Sequence, residues 1–224
     1  MRNDEQLMPT PWDKNVFGID TYELKSVFTD VLERIKKMKG HFTVKVDPLS
    51  CKKKLQEAGF YYCDTLIEPY CDSKGFKDFY HESARLSYDI NIEDLMKISD
   101  GAFSHGRFHR DFNLDKKLAD SRYNNWLREF YDLKKIIALM YEDDLAGFWC
   151  VNEGKVPLHA LSVKYRGKGL AKYFWSAGCR ELFSKGFKEI SSSISASNLA
   201  VLNLYASLGF KFRNPLDIYH KFNP

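Results

Sequence analysis

The chain has 224 residues, the length of one large domain or two small ones. Hydrophobic residues make up 44% and charged residues 29%, which is the balance of a globular protein, and no apolar run is long enough to span a membrane. The formal net charge of +4 is too mild to indicate a nucleic-acid surface, and it suits a small anionic ligand instead.

The cysteines and the first ten residues indicate a cytoplasmic protein. Residues 1–10 lack an apolar core, so they do not predict a signal peptide. The five cysteines are odd in number and lack CxxC spacing, so we expect free thiols in a reducing compartment, with neither disulfides nor a zinc site. No membrane or nucleic-acid partner is predicted, and a homodimer is left open.

The first third of the chain predicts alternating helices and strands. Apolar residues recur at helical spacing before Gly40 and at alternate positions after it. The predicted elements are helices at 26–39 and 48–59 and strands at 42–46 and 60–67. Residues 1–80 are therefore predicted to form an N-terminal α/β subdomain that ends in a linker at 72–79.

One helix end in this subdomain is similar to a later one. Leu55–Tyr61 and Leu204–Lys211 both end a helix with Gly-Phe and continue into an aromatic-rich strand. This similarity favours a truncated relative of the C-terminal half, although Gly-Phe closures are also common on their own.

Residues 81–224 are predicted to form a second α/β domain. Its helices are predicted at 92–102, 114–131, 169–185 and 198–209, and its strands at 136–141, 145–151, 156–163, 189–195 and from 210. Between the first two helices lies a loop at 103–112 that is rich in His, Arg and Phe.

A basic, glycine-rich turn joins the strand at 156–163 to the next helix. Arg166, Gly167, Lys168 and Gly169 stand where the helix starts, and backbone N–H groups at such a start bind anions. The pattern favours a phosphate or pyrophosphate. A nucleotide P-loop needs a longer spacing with Lys-Ser/Thr, and a dinucleotide fingerprint needs its first glycine elsewhere. An ordinary turn with surface lysines is the simpler alternative.

Two segments resemble the GNAT superfamily of N-acetyltransferases. Arg166–Ala171 matches the Arg/Gln-x-x-Gly-x-Gly/Ala signature, and Ser197–Phe210 is similar to the second motif, in the order and spacing of the family. The resemblance covers residues 91–224. It implies a mixed central sheet flanked by helices, here with an extra N-terminal α/β subdomain, and acetyl-CoA as co-substrate without a metal.

The resemblance also assigns roles within the second domain. It implies that the strand at 159–163 splays from its neighbour and that a backbone N–H near Leu161 or Ser162 polarises the thioester carbonyl. Tyr205 becomes the candidate general acid and His159 the candidate base, although either could be a packing residue, and Asn198 could simply cap its helix. The implied coenzyme-binding residues are Leu161, Ser162, Val163, Arg166, Gly167, Lys168, Gly169, Leu170, Ala171, Asn198 and Tyr205.

Three further segments are similar to the dTDP-fucosamine acetyltransferase family. They are Pro11–Gly18, Phe103–Phe112 and Ala119–Leu127. This resemblance implies acetylation of the amino group of a nucleotide-linked amino sugar. Another small amine, a protein N-terminus, or a non-catalytic acyl-CoA sensor are the alternatives.

The loop at 103–112 is the predicted binding site of that acceptor. Arg107 and Arg110 are expected to pair with the diphosphate, and Phe108 or Phe112 to stack on a base or sugar. Further candidates for the base are His105, His109 and Asp111. The spacing of His105 and His109 is helix-like but falls in a glycine-containing loop without a third ligand, so no metal site is predicted.

Overall fold

The computed structural model describes residues 6–224 and contains eight α-helices within that range. The helices are α1 Pro11–Phe17, α2 Thr29–Lys36, α3 Lys53–Glu57, α4 Ile92–Ser99, α5 Arg107–Arg110, α6 Lys116–Asp132, α7 Ala171–Ser184 and α8 Leu199–Ser207. Among these described helices, none has the length and apolar character that crossing a bilayer requires.

The strands are β1 Leu7–Pro9, β2 Thr21–Leu24, β3 Gly40–Val46, β4 Tyr61–Asp72, β5 Ala84–Ser87, β6 Ile136–Tyr141, β7 Asp144–Asn152, β8 Lys155–Leu161, β9 Glu189–Ser192, β10 Ile194–Ser195 and β11 Lys211–Asn223. Parallel pairs (β2 with β3, β8 with β9) occur beside antiparallel ones. The predicted α/β class, a mixed sheet flanked by helices, is confirmed.

The chain divides into two compact units that are not contiguous in sequence. The first comprises Met1–Leu66, His105–Arg122 and Pro215–Pro224, and the second comprises Ile67–Ser104 and Tyr123–Asn214. The boundary expected from the sequence, at residue 80, stays a prediction.

The first unit is built on a sheet whose centre is β3. This strand pairs in parallel with β2 and antiparallel with β11, so that His220 lies opposite Thr43. Phe42 and Val44 occupy alternate positions on β3, and their side chains pack against Val31 and Ile35 of α2. The other face of β3 carries polar residues into the interior of the unit, among them the buried His41.

The second unit is an antiparallel meander to which a parallel strand is added. β5, β6, β7 and β8 pair in antiparallel order, β9 joins β8 in parallel, and β4 borders β9. α7 covers this sheet with Phe174, Trp175 and Leu182 in the core. The other core of the unit joins Leu95 of α4 and Leu127 of α6 to buried positions on β6, β7 and β8.

Several predicted elements differ from those observed. The helices predicted at 26–39 and 48–59 are shorter, since α2 and α3 cover 29–36 and 53–57 only. The loop predicted at 103–112 contains the single-turn helix α5. The strand predicted at 156–163 ends at Leu161, because Val163–Tyr165 forms a turn of 3-10 helix. The sequence did not predict α1 or the short strands β1, β2 and β5.

Gly209 ends α8 where no side chain fits. Its φ is +85°, and a Cβ at this position would lie 2.1 Å from the backbone oxygen of Gly75. Gly186, which follows α7, has a similar φ of +90° but open space around the position of a Cβ. The two glycines therefore share the left-handed conformation and differ in crowding.

We expect Gly209→Ala to lower the free energy of unfolding by ~2–5 kcal/mol, the sum of left-handed strain and overpacking. Gly186→Ala, the control, should lose only the strain of ~1–2 kcal/mol. Urea unfolding of both variants measures the difference. Equal losses would contradict a clash at Gly209.

Candidate active site

One edge of β8 is open in its C-terminal half. β8 pairs with β7 as far as Leu161, whereas its pairing with β9 is recorded only at Lys155–Ser191 and Val156–Ser192. Beyond Val156, the backbone groups of β8 that point away from β7 therefore lie outside the β9 ladder. The splay expected at this strand is present.

The hydrogen bonds between β8 and β7 show which backbone N–H of β8 faces the open edge. The N–H of Ser162 donates to the carbonyl of Ala146 at 2.8 Å. Because antiparallel pairs alternate, the N–H and C=O of the preceding Leu161 point away from β7. The Leu161 carbonyl accepts a hydrogen bond of 2.8 Å from Nε of Arg166. The prediction that Ser162 could polarise the thioester is wrong for this geometry, since its N–H is already bonded, and Leu161 remains.

The glycine-rich turn presents unbonded donors at the start of α7. Within residues 6–224, the backbone N–H groups from Gly167 to Lys172 donate to no backbone carbonyl. Gly167 and Gly169 both have φ of +72°, and a Cβ at either would meet nothing within 4 Å. Leu170, the residue before the helix, is apolar and gives it no side-chain cap. Exposed, unpaired N–H groups of this kind bind phosphate.

The structure brings the two candidate catalytic side chains into contact. The hydroxyl of Tyr205, on α8, lies 3.3 Å from Nε2 of His159, on β8. The ring of Trp175 stands edge-on to His159 with centroids 5.0 Å apart, and the ring of Phe210 packs 4.8 Å from that of Tyr205. Tyr205 is 1% exposed, so aromatic packing fixes its position.

Burial sets the protonation state of both groups. It lowers the pKa of His159 to about 4, so the imidazole is neutral at neutral pH and one ring nitrogen carries a lone pair that can accept a proton. Burial also raises the pKa of Tyr205 well above its usual range, although the nearby Ser192 and Trp175 act in the opposite direction. The pair therefore consists of a neutral base and a protonated phenol, which is the combination that proton transfer to a departing thiolate needs.

Asn198 acts as a helix cap in this structure. Its side-chain oxygen accepts a hydrogen bond of 3.3 Å from the N–H of Val201, in the first turn of α8. The simpler alternative considered for Asn198 is thus confirmed, and its contact with the coenzyme stays a prediction. Val163, also expected to bind the coenzyme, is 77% exposed at the start of the 3-10 turn.

The four residues predicted to bind the acceptor lie in the first unit and differ in accessibility. Phe108 is 3% exposed and packs against Phe17 with ring centroids 5.4 Å apart, so it is a core residue and not a free stacking surface. Phe112 is 78% exposed. Arg110 donates to Asp64 at 3.1 Å. Their role in acceptor binding stays a prediction.

The alternative bases occupy three different environments. His105 is exposed, whereas Nε2 of His109 lies 2.9 Å from Asp120. Asp111 is buried, and burial alone would raise its pKa, but hydrogen bonds from His220 and His41 hold the pKa well below its usual range. An ionised carboxylate held by several donors is a weak proton acceptor, which disfavours Asp111 as the base.

The sequence did not predict the buried polar cluster around Asp111. His41 comes from β3 and His220 from β11, and each is next to an aromatic residue, Phe42 and Tyr219. A histidine beside an aromatic residue within a strand was the available signal. This signal could not identify Asp111 as the partner, because Asp111 lies 70 residues from His41 and 109 residues from His220 in the sequence.

The comparison with family models assigns the class. A model described as "Acetyltransferase (GNAT) family" matches residues 93–210, which include α7, the open edge of β8 and α8. The chain belongs to the GNAT acetyltransferase family. This family generally uses acetyl-CoA as co-substrate. The sequence matches none of the curated proteins with which it was compared.

Solved structures agree with this fold at low sequence identity. A GCN5-related N-acetyltransferase from Sphaerobacter thermophilus is 11% identical with a TM-score of 0.59, and the match covers 86% of this chain and 64% of that one. A functionally unknown conserved protein from Staphylococcus epidermidis is 15% identical with a TM-score of 0.62, over 92% and 85% of the two chains.

A tandem GNAT protein from the clavulanic acid biosynthesis pathway is 11% identical with a TM-score of 0.53, over 91% of this chain and 76% of that one. The chain thus spans less than two thirds of the Sphaerobacter protein and more of the other two. At these identities the matches establish the fold alone.

Proposed function

We propose that the protein is an acetyl-CoA-dependent N-acetyltransferase. The observation that carries the proposal is the open edge of β8, which the Leu161 N–H faces. His159 lies on the same strand, in contact with Tyr205 of α8. An extended pantetheine arm can use such an edge as a strand would, because it offers amide groups of its own. The free N–H groups from Gly167 to Lys172 suit the pyrophosphate.

The proposed reaction is direct attack of an amine on the thioester in a ternary complex. The Leu161 N–H hydrogen-bonds the carbonyl oxygen as negative charge develops on it. The nitrogen forms a bond to the acetyl carbon, and the carbon–sulfur bond breaks to leave a thiolate. Tyr205 gives its proton to the sulfur.

His159 returns the proton that Tyr205 loses. The amine attacks in its unprotonated form, so its nitrogen becomes positively charged in the tetrahedral adduct, and the neutral imidazole takes a proton from this nitrogen, directly or through a water molecule. It then passes this proton across the 3.3 Å contact to the phenolate of Tyr205. Each turnover would release free coenzyme A and an amide, with both side chains back in their starting forms.

Mass spectrometry of products formed from acetyl-CoA and a panel of amines tests this function. The panel contains nucleotide-linked amino sugars, simple arylalkylamines and peptides with free N-termini. We expect a product heavier by one acetyl group and a stoichiometric free thiol. Binding of acetyl-CoA without transfer to any acceptor would favour the non-catalytic sensor.

A nucleotide-linked amino sugar of the dTDP-4-amino-4,6-dideoxyhexose type is the acceptor we propose. The support is the sequence resemblance in Pro11–Gly18 and Phe103–Phe112, together with the charge of the latter segment. Arg107 stacks on the ring of Phe108 at 4.7 Å and, among the described residues, forms no ion pair with a carboxylate. A half-buried guanidinium in this state can pair with a diphosphate.

We expect Arg107→Ala to raise the KM for such an acceptor about 10- to 100-fold, since a hydrogen bond to a charged group contributes ~1.5–3 kcal/mol. The KM for acetyl-CoA should stay unchanged. Lys117→Ala, which removes an exposed cation from the same unit, is the control. A rise in the KM for acetyl-CoA alone would assign Arg107 to the coenzyme instead.

A further inference from the structure

A buried carboxylate in the first unit has two imidazoles on a single oxygen. Oδ2 of Asp111 lies 2.8 Å from Nε2 of His41 and 2.7 Å from Nδ1 of His220. The three side chains are no more than 3% exposed. The two rings meet edge to face with centroids 4.6 Å apart, so both nitrogens point to the same place.

We propose that His41, Asp111 and His220 bind a divalent transition-metal ion of the Zn²⁺ type. One ligand atom from each of the three residues lies within 4.8 Å of the other two. Two imidazole nitrogens and one carboxylate oxygen are a donor set that suits Zn²⁺, with a fourth position left for water. The set is poor for Mg²⁺ and Ca²⁺, which prefer oxygen ligands throughout.

The surroundings of Asp111 orient its carboxylate as an outer shell orients a metal ligand. The hydroxyl of Tyr61 lies 2.9 Å from its Oδ1 and 3.0 Å from its Oδ2, and the N–H of Asn113 donates to Oδ1 at 2.8 Å. The Asn113 amide in turn donates to the Tyr61 oxygen at 2.8 Å. These bonds fix the orientation of the carboxylate, whose Oδ2 faces the two histidines. Outer-shell partners of this kind raise metal affinity by fixing the ligand.

Metal binding needs only a small movement and no net loss of protons from the cluster. Two ligands 2.0–2.1 Å from one ion at tetrahedral angles are ~3.4 Å apart, so the nitrogen–oxygen separations of 2.8 and 2.7 Å must open by about 0.6–0.7 Å. The N–H protons now shared with Asp111 would move to the far nitrogen of each ring.

The ion would join three segments that are distant in sequence. His41 stands on β3, Asp111 directly follows α5, and His220 lies on β11. A bound metal stabilises a folded state by its binding free energy when the unfolded chain lacks the site. The site would therefore act on the stability of the first unit, independently of acetyl transfer in the second.

Titration of the chelator-treated full-length protein with Co²⁺ tests the proposal. We expect one equivalent to bind with the visible absorption of a low-symmetry cobalt centre, and Zn²⁺ to displace it. One equivalent of Zn²⁺ should also raise the melting temperature, whereas excess Mg²⁺ should not. A wild-type protein that shows neither the absorption nor the shift would overturn the proposal and leave a hydrogen-bonded cluster.

Variants locate the ion. Asp111→Asn should abolish Co²⁺ binding, and Tyr61→Phe, which leaves the three ligands in place, should weaken it ~10- to 100-fold. His105→Ala removes an exposed histidine from the same unit and should bind as the wild type does. If Tyr61→Phe bound Co²⁺ with wild-type affinity, or if His105→Ala lost binding, the ion would lie elsewhere and the assignment would be wrong.

Discussion

Replacing Tyr205 with Phe should reduce kcat roughly 100- to 1,000-fold, which lies within the range for loss of one general acid. The phenol lies 3.3 Å from Nε2 of His159, and burial keeps it protonated. Phe retains the ring that packs against Phe210, so the fold should survive. Because the thiolate exists only as the bond breaks, the affinity for acetyl-CoA should hardly change.

Steady-state kinetics and calorimetric titration with acetyl-CoA measure these two effects separately. Tyr173→Phe is the matched control, since Tyr173 packs against His81 in the same unit and, among the described residues, its ring contacts neither His159 nor Tyr205. Turnover at the wild-type rate in Tyr205→Phe would reduce Tyr205 to a packing residue.

A double variant tests whether Tyr205 and His159 act together. If His159 returns the proton to Tyr205, each single change already breaks the same cycle. Tyr205→Phe with His159→Gln should then be scarcely slower than the slower single variant, because residues that act as a unit are not additive. Multiplicative losses would indicate that the contact between them carries no proton.

The sequence predicted best where local patterns decide the structure. The strand at Ile136–Tyr141 was predicted with the bounds that the structure has, because its apolar, β-branched run is closed by an acidic turn. By contrast, β1, β2 and β5 have three or four residues each, too few to give a periodic signal, and pairing with longer strands holds them in place.

The candidate site likewise has parts that the sequence predicts and parts that it does not. The turn from Arg166 to Ala171 was predictable because consecutive residues form it. The choice between Leu161 and Ser162 was not, since it depends on the register of β8 against β7 and a shift of one residue reverses the direction of every backbone group. The cluster around Asp111 depends on pairing between β3 and β11, which no local pattern specifies.

The turn before α7 is expected to determine the affinity for acetyl-CoA. Gly169→Glu should weaken acetyl-CoA binding about 100-fold or more. Gly169 is exposed and has open space around it, so a side chain there should be tolerated by the fold apart from the strain of φ +72°. The carboxylate would stand beside the N–H groups that we assign to the pyrophosphate. Two like charges ~4 Å apart near a protein surface repel by ~4 kcal/mol, and ~2.7 kcal/mol already corresponds to 100-fold.

Two glycine variants separate this repulsion from backbone strain. Gly169→Ala has the strain without the charge and should bind acetyl-CoA within a few-fold of the wild type. Gly186→Glu has the charge and a comparable φ of +90°, again in open space, but it lies beyond the opposite end of α7. Its affinity should be unchanged. Calorimetric titration of the three folded variants gives the comparison. If Gly169→Glu bound acetyl-CoA as tightly as Gly186→Glu, the free N–H groups of this turn would not be the pyrophosphate site.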